Sequence, residues 1–372
     1  MTYRLRTSAV LVAAATLLAA CSGGSNSESS ASDGQGKQAD LTMVIASAVI
    51  GPKEEVACYA VARELGYFKD EKLNVKTINA DGSTAAVQAV GAGQGDVTAS
   101  DIGSILAAVQ KDVPVKTVGG LVQNWPWRIA TAPGSALKAP ADFKGKKIGV
   151  ISLASGSAPY ARAFVKTAGL NPETDVQLLP VGVGAQAASA LTSGKVDALA
   201  LYTQAYTVIE NSGTTLAYLD NPAIFGGVRS LSFAVNGSKL ADNKDVYQRF
   251  LRAVYKAMLF SAQNPEAAMK LGYKVYPQIL GGAPEASRLK TDVLSLKAWI
   301  ATATPPSGDP SSFKSWGAIP DVDWTKTQAY TRQAGQITAD IELGKVWDPS
   351  LLPAANNFDS AAVLKQADSW TQ

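Results

Sequence analysis

The sequence predicts an α/β protein made of two lobes that face each other across a cleft. From residue 41 onward, short β-type runs alternate with helical runs, a pattern typical of βαβ units around a parallel sheet. The same order of elements then occurs a second time. A loop at residues 133–146 separates the two copies, which favours two lobes over the alternative of one continuous doubly wound sheet.

The first copy of this plan runs from residue 43 to residue 121. Its predicted strands are Met43–Ser47, Leu73–Ile78, Val97–Ser100 and Val115–Leu121. Its predicted helices are Glu54–Leu65, Thr84–Val90 and Ile105–Gln110. Gly66 follows the first helix directly, and glycine is a common C-cap because it adopts the left-handed conformation without a Cβ penalty.

The second copy begins after the loop. Its predicted strands are Lys147–Ile151, Val176–Val181 and Ala198–Leu201, and its predicted helices are Pro159–Ala168 and Ala185–Thr192. When Asp96 is aligned with Asp197, Ser83 falls on Gly184, and Gly66 matches Gly169 by its place in the pattern. Identities between the copies are few, so the order of elements carries the prediction.

We expect the chain to return to the first lobe at a strand near Ser232–Val235, followed by a helix at Val246–Asn264. The predicted lobe I therefore comprises residues 41–132 and 235–372, and lobe II comprises residues 133–234. Ligands of open α/β sheets bind outside the carboxyl ends of the strands. Two such lobes form a ligand cleft that closes by a hinge motion.

The N-terminal segment predicts export. Arg4 and Arg6 precede an apolar run from Ala9 to Ala20, which is too short to span a bilayer and reads as a signal peptide at residues 1–20. Leu18-Ala19-Ala20-Cys21 resembles a bacterial lipobox, which implies lipidation of Cys21, although an ordinary signal peptide is the alternative. Residues 21–40 then form a Ser/Gly-rich flexible tether. We expect a protein anchored at the extracytoplasmic face of the cell membrane.

The composition excludes several classes of function. The sequence has no histidine, so neither a Ser-His-Asp triad nor a histidine zinc site can be assembled. A formal net charge of +3 gives no electrostatic case for nucleic acid. If Cys21 is lipidated, Cys58 has no partner and is expected to be buried. We therefore expect no catalytic residues, no metal and no cofactor.

Several local strings resemble one known family. They are Ala62–Phe68 (AREL-GYF), Gly93–Val97 (GQGDV), Asp142–Val150 (DFKGKKIGV) and Gly194–Ala198 (GKVDA). Together they resemble the periplasmic-type binding proteins for aliphatic sulfonates, taurine, nitrate and the pyrimidine precursor of thiamine. The resemblance implies a type II periplasmic binding protein-like fold and an ABC permease as partner. A related enzymatic branch resembles fungal pyrimidine synthases, which consume a histidine of their own chain; this chain has none.

The candidate ligand-binding residues follow predicted strands or open predicted helices. They are Ser47, Ala48, Tyr59, Ser83, Thr84, Ser100, Asp101, Asn124, Trp125, Ser152, Ser155, Gly156, Ser157, Gly182 and Tyr202. The resemblance implies that the end of the first strand, Ser47 and Ala48, faces the ligand. Asp101 either accepts hydrogen bonds from an amine on the ligand or caps the following helix.

Helix starts and aromatic residues supply the other candidates. Ser83 and Ser155 lie where free amides and the helix dipole attract an anionic group, although the same residues suit ordinary N-caps. At least one residue of the segment that contains Trp125 and Trp127 is expected to contact a flat ligand, and the alternative is that both tryptophans only fill space at the hinge. Arg128 and Arg229 are possible partners for an anion.

These features predict a monomeric solute-binding receptor of an ABC importer that closes on a small molecule. The alternatives are a surface lipoprotein that binds another protein and a cleft enzyme without histidine. An organic sulfonate or an aromatic carboxylate uses both the aromatic residues and the serine-rich helix start. A thiamine-type pyrimidine makes less use of the helix start, and nitrate uses the aromatic residues poorly.

Overall fold

The computed structural model describes residues 36–305 and 309–371. The signal peptide at residues 1–20, the lipidation site at Cys21 and the tether as far as residue 35 lie outside the described residues. The predicted tether extends to residue 40, but the first strand already begins at Ala39, because it pairs with the second strand along its whole length. The folded body therefore starts within the last residues assigned to the tether.

The described strands form two separate five-stranded sheets. In chain order they are β1 (Ala39–Ile45), β2 (Leu73–Asn79), β3 (Val97–Asp101), β4 (Val115–Gly120), β5 (Trp127–Thr131), β6 (Lys146–Val150), β7 (Val176–Pro180), β8 (Ala198–Tyr202), β9 (Ala217–Tyr218) and β10 (Leu231–Asn236). The first sheet has the order β2-β1-β3-β10-β4, and the second has the order β7-β6-β8-β5-β9. The prediction of two α/β lobes is confirmed.

In each sheet, one strand runs antiparallel to both of its neighbours. β10 runs antiparallel between β3 and β4, and β5 runs antiparallel between β8 and β9. The two crossovers therefore lie between β4 and β5 and between β9 and β10. This corrects the predicted boundaries at residues 132/133 and 234/235: β5 belongs to lobe II and all of β10 to lobe I, because their hydrogen-bonding partners lie there.

Helices cover both faces of the sheets. In chain order they are α1 (Val61–Glu64), α2 (Tyr67–Asp70), α3 (Gly82–Gly91), α4 (Ile102–Val109), α5 (Ser157–Lys166), α6 (Ala185–Thr192), α7 (Thr203–Asn211), α8 (Lys244–Gln263), α9 (Pro265–Val275), α10 (Glu285–Ala303), α11 (Asp321–Gln333), α12 (Leu343–Val346), α13 (Leu352–Ala355) and α14 (Ser360–Asp368). A π-helical segment, Glu55–Ala60, leads into α1. Short 3₁₀ turns lie at Pro140–Phe143, Ala223–Phe225, Gly237–Lys239, Pro277–Leu280, Pro310–Ser312 and Pro349–Leu351.

The two lobes bury separate hydrophobic cores. One continuous core fills lobe I, where Phe233 of β10 packs edge-on against Phe250 and Tyr255 of α8. Lobe II has a core on each face of its sheet, one around Tyr160 and Phe164 of α5 and the other around the helices α6 and α7. Burial of apolar surface at this scale is the main source of fold stability.

The C-terminal segment contacts both lobes. Tyr330 and Ala334 of α11 are buried in the α5-side core of lobe II, and α10 packs against α7 as well as α9. The prediction that residues 235–372 pack on lobe I alone is corrected by these contacts. The last third of the chain therefore packs against both lobes.

The two sheets repeat one local design. The Asp96 carboxylate accepts a hydrogen bond from the Thr42 amide at 2.8 Å, and the Asp197 carboxylate accepts one from the Lys147 amide at 2.8 Å. Gly66 and Gly169 both adopt positive φ angles, of 80° and 77°, after a helix. The aligned aspartates and glycines therefore do the same structural work in each lobe.

None of the helices in the described ranges combines the length and the apolar character that a bilayer crossing requires.

Candidate functional site

A cavity of about 510 Å³ lies between the lobes, at the carboxyl ends of their parallel strands. Its wall includes Ser47 after β1, Asp101 at the end of β3, Ser152 after β6 and Tyr202 at the end of β8. The cavity volume is within the range of roughly 300–1,000 Å³ that is usual for small-molecule sites. The topology that places four strand ends at one cleft thus creates the candidate ligand site.

Nine of the fifteen residues predicted to bind ligand lie on this wall. They are Ser47, Ala48, Ser83, Asp101, Ser152, Ser155, Gly156, Gly182 and Tyr202. All nine are on loops or at element ends, where the strand-end rule places ligand contacts.

Asp101 is the centre of a buried hydrogen-bond network. Its Oδ1 accepts from the Gly103 amide at 3.0 Å, and its Oδ2 accepts from the Ser230 hydroxyl at 3.1 Å. The Trp127 indole N–H in turn donates to Ser230 Oγ at 3.4 Å. Burial raises the pKa of Asp101 to about 6, while the Ser230 hydroxyl and the Gly103 amide oppose that shift. The carboxylate is therefore ionised at neutral pH and retains lone pairs for a ligand.

Two aromatic side chains of lobe II form an apolar surface beside that network. The rings of Trp127 and Tyr202 meet edge to face with centroids 5.6 Å apart, and both residues line the cavity. Their backbones are cross-strand partners in β5 and β8, which fixes the pair in place. Such a surface suits a flat ring, since stacked and edge-on aromatic contacts add to the energy of burial.

A buried charged cluster, Lys53-Glu54-Glu55, lies where the π-helical segment begins. Lys53 Nζ donates to Glu54 Oε1 at 2.7 Å and also contacts Glu55 Oε1. Lys53 and Glu54 line the cavity, and Glu55 lies behind them with no exposed surface. Burial lowers the pKa of Lys53, but the two carboxylates raise it by more, so the ammonium stays charged. Burial raises the pKa of Glu55, and Glu54 adds to that rise.

The serine-rich start of α5 is occupied by its own hydrogen bonds. Ser157 Oγ accepts from the Ile151 amide at 2.9 Å and is 2.6 Å from Ser155 Oγ. Ser155 Oγ donates to the Ser152 carbonyl at 2.9 Å. The hydroxyls that were expected to hold an anionic group therefore mainly stabilise the loop.

Glycines allow the lobes to approach closely at the cavity. A Cβ on Gly156 would lie 2.8 Å from Trp127 Cζ2 and 3.4 Å from Asp101 Oδ2. A Cβ on Gly82 of lobe I would lie 2.9 Å from the Ala154 carbonyl oxygen of lobe II. These contacts define a closed arrangement in which lobe II rests on the start of α3 and on Asp101.

Three of the predicted residues in lobe I lie elsewhere. Tyr59 is in the core, where its hydroxyl donates to the Val75 carbonyl at 3.0 Å. Ser100 is buried in β3 and bonds to Thr98 Oγ1 at 2.9 Å. Thr84 is turned away from the cavity and lies 3.5 Å from Ser104 Oγ. Each of these polar groups has a partner within its own lobe.

Three more are structural residues near the hinge and in lobe II. Asn124 donates to the carbonyls of Ala301 and Thr304, which ties the first crossover to α10. Trp125 stacks on Phe225 with centroids 5.4 Å apart and packs against the core of lobe II. Ser157 is fully buried beneath the loop that it caps. Of the two tryptophans on either side of Pro126, it is Trp127 that lines the cavity.

The two arginines that suggested an anionic ligand are both engaged away from the cavity. Arg229 donates through Nε and Nη2 to Asp323 Oδ2, at 2.9 and 2.6 Å, and through Nη1 to the Gln123 carbonyl. The Arg128 guanidinium lies 4.3 Å from the centroid of the Tyr218 ring. Arg229 thus links the two crossovers to α11, and Arg128 packs on lobe II.

Sequence reasoning missed several residues of the wall. They are Lys53, Glu54, Gln186, Ser230, Trp299 and Thr302. The first two had a signal: a run of three charged residues directly precedes a helix whose next seven residues, Val56–Ala62, are all buried. Ser230, Trp299 and Thr302 come from segments whose position depends on the second crossover and on α10, and no local pattern marks them. Gln186 lies in the first turn of α6.

Comparison with known proteins agrees with this geometry. The family model described as "NMT1/THI5 like" matches residues 53–268. A riboflavin-binding protein, RibY, of Chloroflexus aurantiacus is 25% identical over 308 residues, which cover 82% of this chain and 84% of that protein. A formylaminopyrimidine-binding protein of Halalkalibacterium halodurans is 26% identical over 215 residues, which cover 57% of this chain and 64% of that protein.

The fold has solved counterparts. The alkanesulfonate-binding protein SsuA of Xanthomonas axonopodis superposes with a TM-score of 0.61 at 16% identity, covering 84% of this chain and 99% of SsuA. The family match spans more than half of the chain, and the cleft lies where this fold binds its ligands. The chain therefore belongs to the NMT1/THI5-like family and is a substrate-binding protein of the kind that delivers a small ligand to an ABC importer.

Proposed function

We propose that this protein captures a flat heterocycle that carries hydrogen-bond donors, of the flavin or aminopyrimidine class. The observation that carries this proposal is the charge of the cavity wall. Among the described residues that line it, the acids are Glu54, Asp81 and Asp101, and the one cation is Lys53, which two carboxylates neutralise. An organic anion would meet net negative charge there, and like charges at short range are costly.

The aromatic and polar groups of the wall support the same class of ligand. Trp127 and Tyr202 offer a surface for a ring, and Asp101 offers an ionised acceptor beside it. A ring N–H or amino group would donate a further hydrogen bond to that acceptor, whereas a sulfonate or carboxylate has no donor to offer and would add a like charge beside it. The relatives named for riboflavin and formylaminopyrimidine bind flat, donor-bearing rings by name, which agrees with this chemistry.

Thermal unfolding of the purified full-length protein tests the ligand class. A ligand that binds only the folded state stabilises it by RT ln(1 + [L]/Kd), which is about 2.7 kcal/mol at a hundredfold excess over Kd. We expect riboflavin or an aminopyrimidine to raise the unfolding temperature. Aromatic sulfonates and carboxylates of similar size should leave it unchanged. A shift with the anions alone would overturn the proposal.

We further propose that the protein binds its ligand without transforming it. Cys58 is fully buried off the cavity wall, and burial raises the pKa of its thiol well above the usual value, so this thiol is not an available nucleophile. Bound ligand should be recovered chemically unchanged after prolonged incubation with the protein. A new product in chromatography of the released ligand would contradict this.

We also propose that Cys21 carries a lipid anchor and that the anchored protein serves a membrane permease. The lipobox-like sequence Leu18-Ala19-Ala20-Cys21 supports this proposal. Labelled fatty acid should be incorporated into the wild-type protein expressed in a bacterial host. The Cys21→Ala variant should remain unlabelled and leave the membrane fraction, while Cys58→Ala, the matched control, should be labelled normally.

A further inference from the structure

The Lys53-Glu54-Glu55 cluster buries more carboxylate oxygens than Lys53 can pair. Glu54 Oε1 accepts from Lys53 at 2.7 Å, but Glu54 Oε2 is buried without a hydrogen-bond partner in the described parts of the chain. Glu54 is 5% exposed and lies on the cavity wall. Glu55 Oε2 is also buried without a partner among the described residues, but of the two glutamates only Glu54 borders the cavity.

An unpaired buried carboxylate oxygen is a cost that the fold does not require. Leaving a buried acceptor unsatisfied destabilises a protein, and more so when the group is charged. Replacement of a buried ion pair by apolar residues is often neutral or stabilising. The cluster also sits at the start of a π-helical segment, Glu55–Ala60, and such segments are frequent at functional sites. These features are explained if a ligand completes the hydrogen bonding.

The cluster and Asp101 flank the aromatic pair of the wall. Trp127 bonds through its indole N–H to Ser230, which bonds to Asp101. The Trp127 ring contacts the Tyr202 ring edge to face. The charges of Lys53, Glu54 and Glu55 act on the pKa of Tyr202, which burial raises, so the cluster lies close to the Tyr202 hydroxyl. One wall of the cavity therefore presents an acceptor, two rings and a second acceptor in sequence.

We propose that Glu54 is a second recognition residue of the site, whose free oxygen accepts a hydrogen bond from the ligand while Asp101 accepts another. This inference rests on the proposed function and sharpens it. The ligand is a flat ring with an N–H donor for one carboxylate and a further N–H or O–H donor for the other. A ring with only one donor leaves one buried oxygen unpaired and binds weakly.

The test is calorimetric titration of the full-length protein and two variants with riboflavin, lumiflavin and formylaminopyrimidine. Lumiflavin keeps the ring of riboflavin but lacks its hydroxylated side chain. Glu54→Gln removes the free acceptor and keeps the shape, and the control Asp242→Asn removes one negative charge from an exposed position of lobe I that does not line the cavity. Thermal unfolding without ligand verifies that each variant is folded.

We expect Glu54→Gln to weaken binding of the better of riboflavin and formylaminopyrimidine by about 10- to 100-fold, as for loss of a charge-assisted hydrogen bond. Asp242→Asn should not change that affinity. If riboflavin is the better ligand, lumiflavin should bind the wild-type protein more weakly than riboflavin does.

Two outcomes overturn the inference in distinguishable ways. Wild-type affinity in folded Glu54→Gln, or an equal loss in Asp242→Asn, removes the role of Glu54 and leaves the proposed ligand class intact. A wild-type protein that binds neither heterocycle overturns the ligand class, and the inference fails with it.

Discussion

The two lobes contribute different chemistry to the same cavity. All the charged side chains on the wall, Lys53, Glu54, Asp81 and Asp101, come from lobe I, whereas lobe II contributes aromatic, serine, glycine and amide groups. The lobes share one strand order, and Asp96 and Asp197 make the same hydrogen bond in each. Equivalent scaffolds therefore carry unlike ligand surfaces. We infer that lobe I reads the hydrogen-bonding groups of the ligand and that lobe II covers its ring.

The largest expected effect is the loss of a hydrogen bond between lobe I and the ligand. Asp101→Asn should weaken binding of a donor-bearing heterocycle by about 10- to 100-fold, because a charge-assisted hydrogen bond is lost. Asp242→Asn, which removes an exposed carboxylate of the same lobe, should not change the affinity. Calorimetric titration measures both. Equal affinity in the wild-type protein and Asp101→Asn would show that Asp101 is only a helix cap.

The same variant also tests the electrostatic cost of Asp101. Its pKa in the folded protein, about 6, is above the ordinary value of 3.8, so the folded state binds the proton more tightly than the unfolded state does. Ionisation of Asp101 therefore lowers stability as the pH rises from about 4 to about 6. Unfolding at several pH values should show a weaker dependence over that window in Asp101→Asn. An unchanged dependence would contradict the raised pKa.

Acidification should reproduce part of the Asp101→Asn effect on binding. Protonation of Asp101 removes its negative charge, so affinity should fall as the pH drops below about 6. At pH 5 only about one molecule in ten keeps the carboxylate, and the affinity should be about tenfold lower than at neutral pH. Titrations at pH 7.5, 6 and 5 measure this. Affinity that is constant over the range would contradict recognition by an ionised Asp101.

Variants of the two tryptophans of lobe II distinguish contact with the ligand from packing in the core of the lobe. Trp127→Ala should lower affinity up to about tenfold, because the ring contact is lost. Trp125→Ala should instead lower the unfolding temperature, since Trp125 packs on Phe225 and Tyr330 in the core. Titration and thermal unfolding of both variants give the comparison. The account would be contradicted if Trp125→Ala weakened binding more than Trp127→Ala did.

The smallest effect concerns contact between the lobes. Gly82→Ala and Gly134→Ala place alanine at nearly the same φ, 82° and 79°, so both carry similar backbone strain. A Cβ on Gly82 would crowd the Ala154 carbonyl across the cleft, whereas a Cβ on Gly134 has no atom within 4 Å. Gly82→Ala should therefore lower affinity a few fold beyond Gly134→Ala, with similar unfolding temperatures. Small-angle scattering with ligand should show a more open Gly82→Ala protein.

Local patterns in the sequence were sufficient to predict the two-lobed fold and the position of Asp101 at the cavity wall. Strand and helix periodicities are local, and the rule that ligands meet the ends of parallel strands identifies Asp101, Ser152 and Tyr202 directly. The lobe boundary was harder to place because β5 lies between β8 and β9, about 70 to 90 residues further along the chain. No local feature of Trp127–Thr131 names those partners.

The errors within the site have the same origin. Trp125 and Trp127 flank one proline, and only the packing of Trp125 on Phe225 decides which ring faces the cavity. The sequence favoured an anion-binding site at the serine-rich start of α5, but its hydroxyls form hydrogen bonds to one another and to the loop. The unpaired oxygen of Glu54 results from how Lys53 packs between two carboxylates, and no local pattern in the sequence shows that packing.

One measurement tests the central claim most directly: competitive calorimetric titration of the wild-type protein at pH 7.5 with riboflavin, formylaminopyrimidine and naphthalenesulfonate. The account predicts that at least one of the two heterocycles binds at least a hundredfold more tightly than the sulfonate, because the described wall carries three acidic residues and its one cation, Lys53, is already ion-paired. Tighter binding of the sulfonate than of either heterocycle would contradict the account.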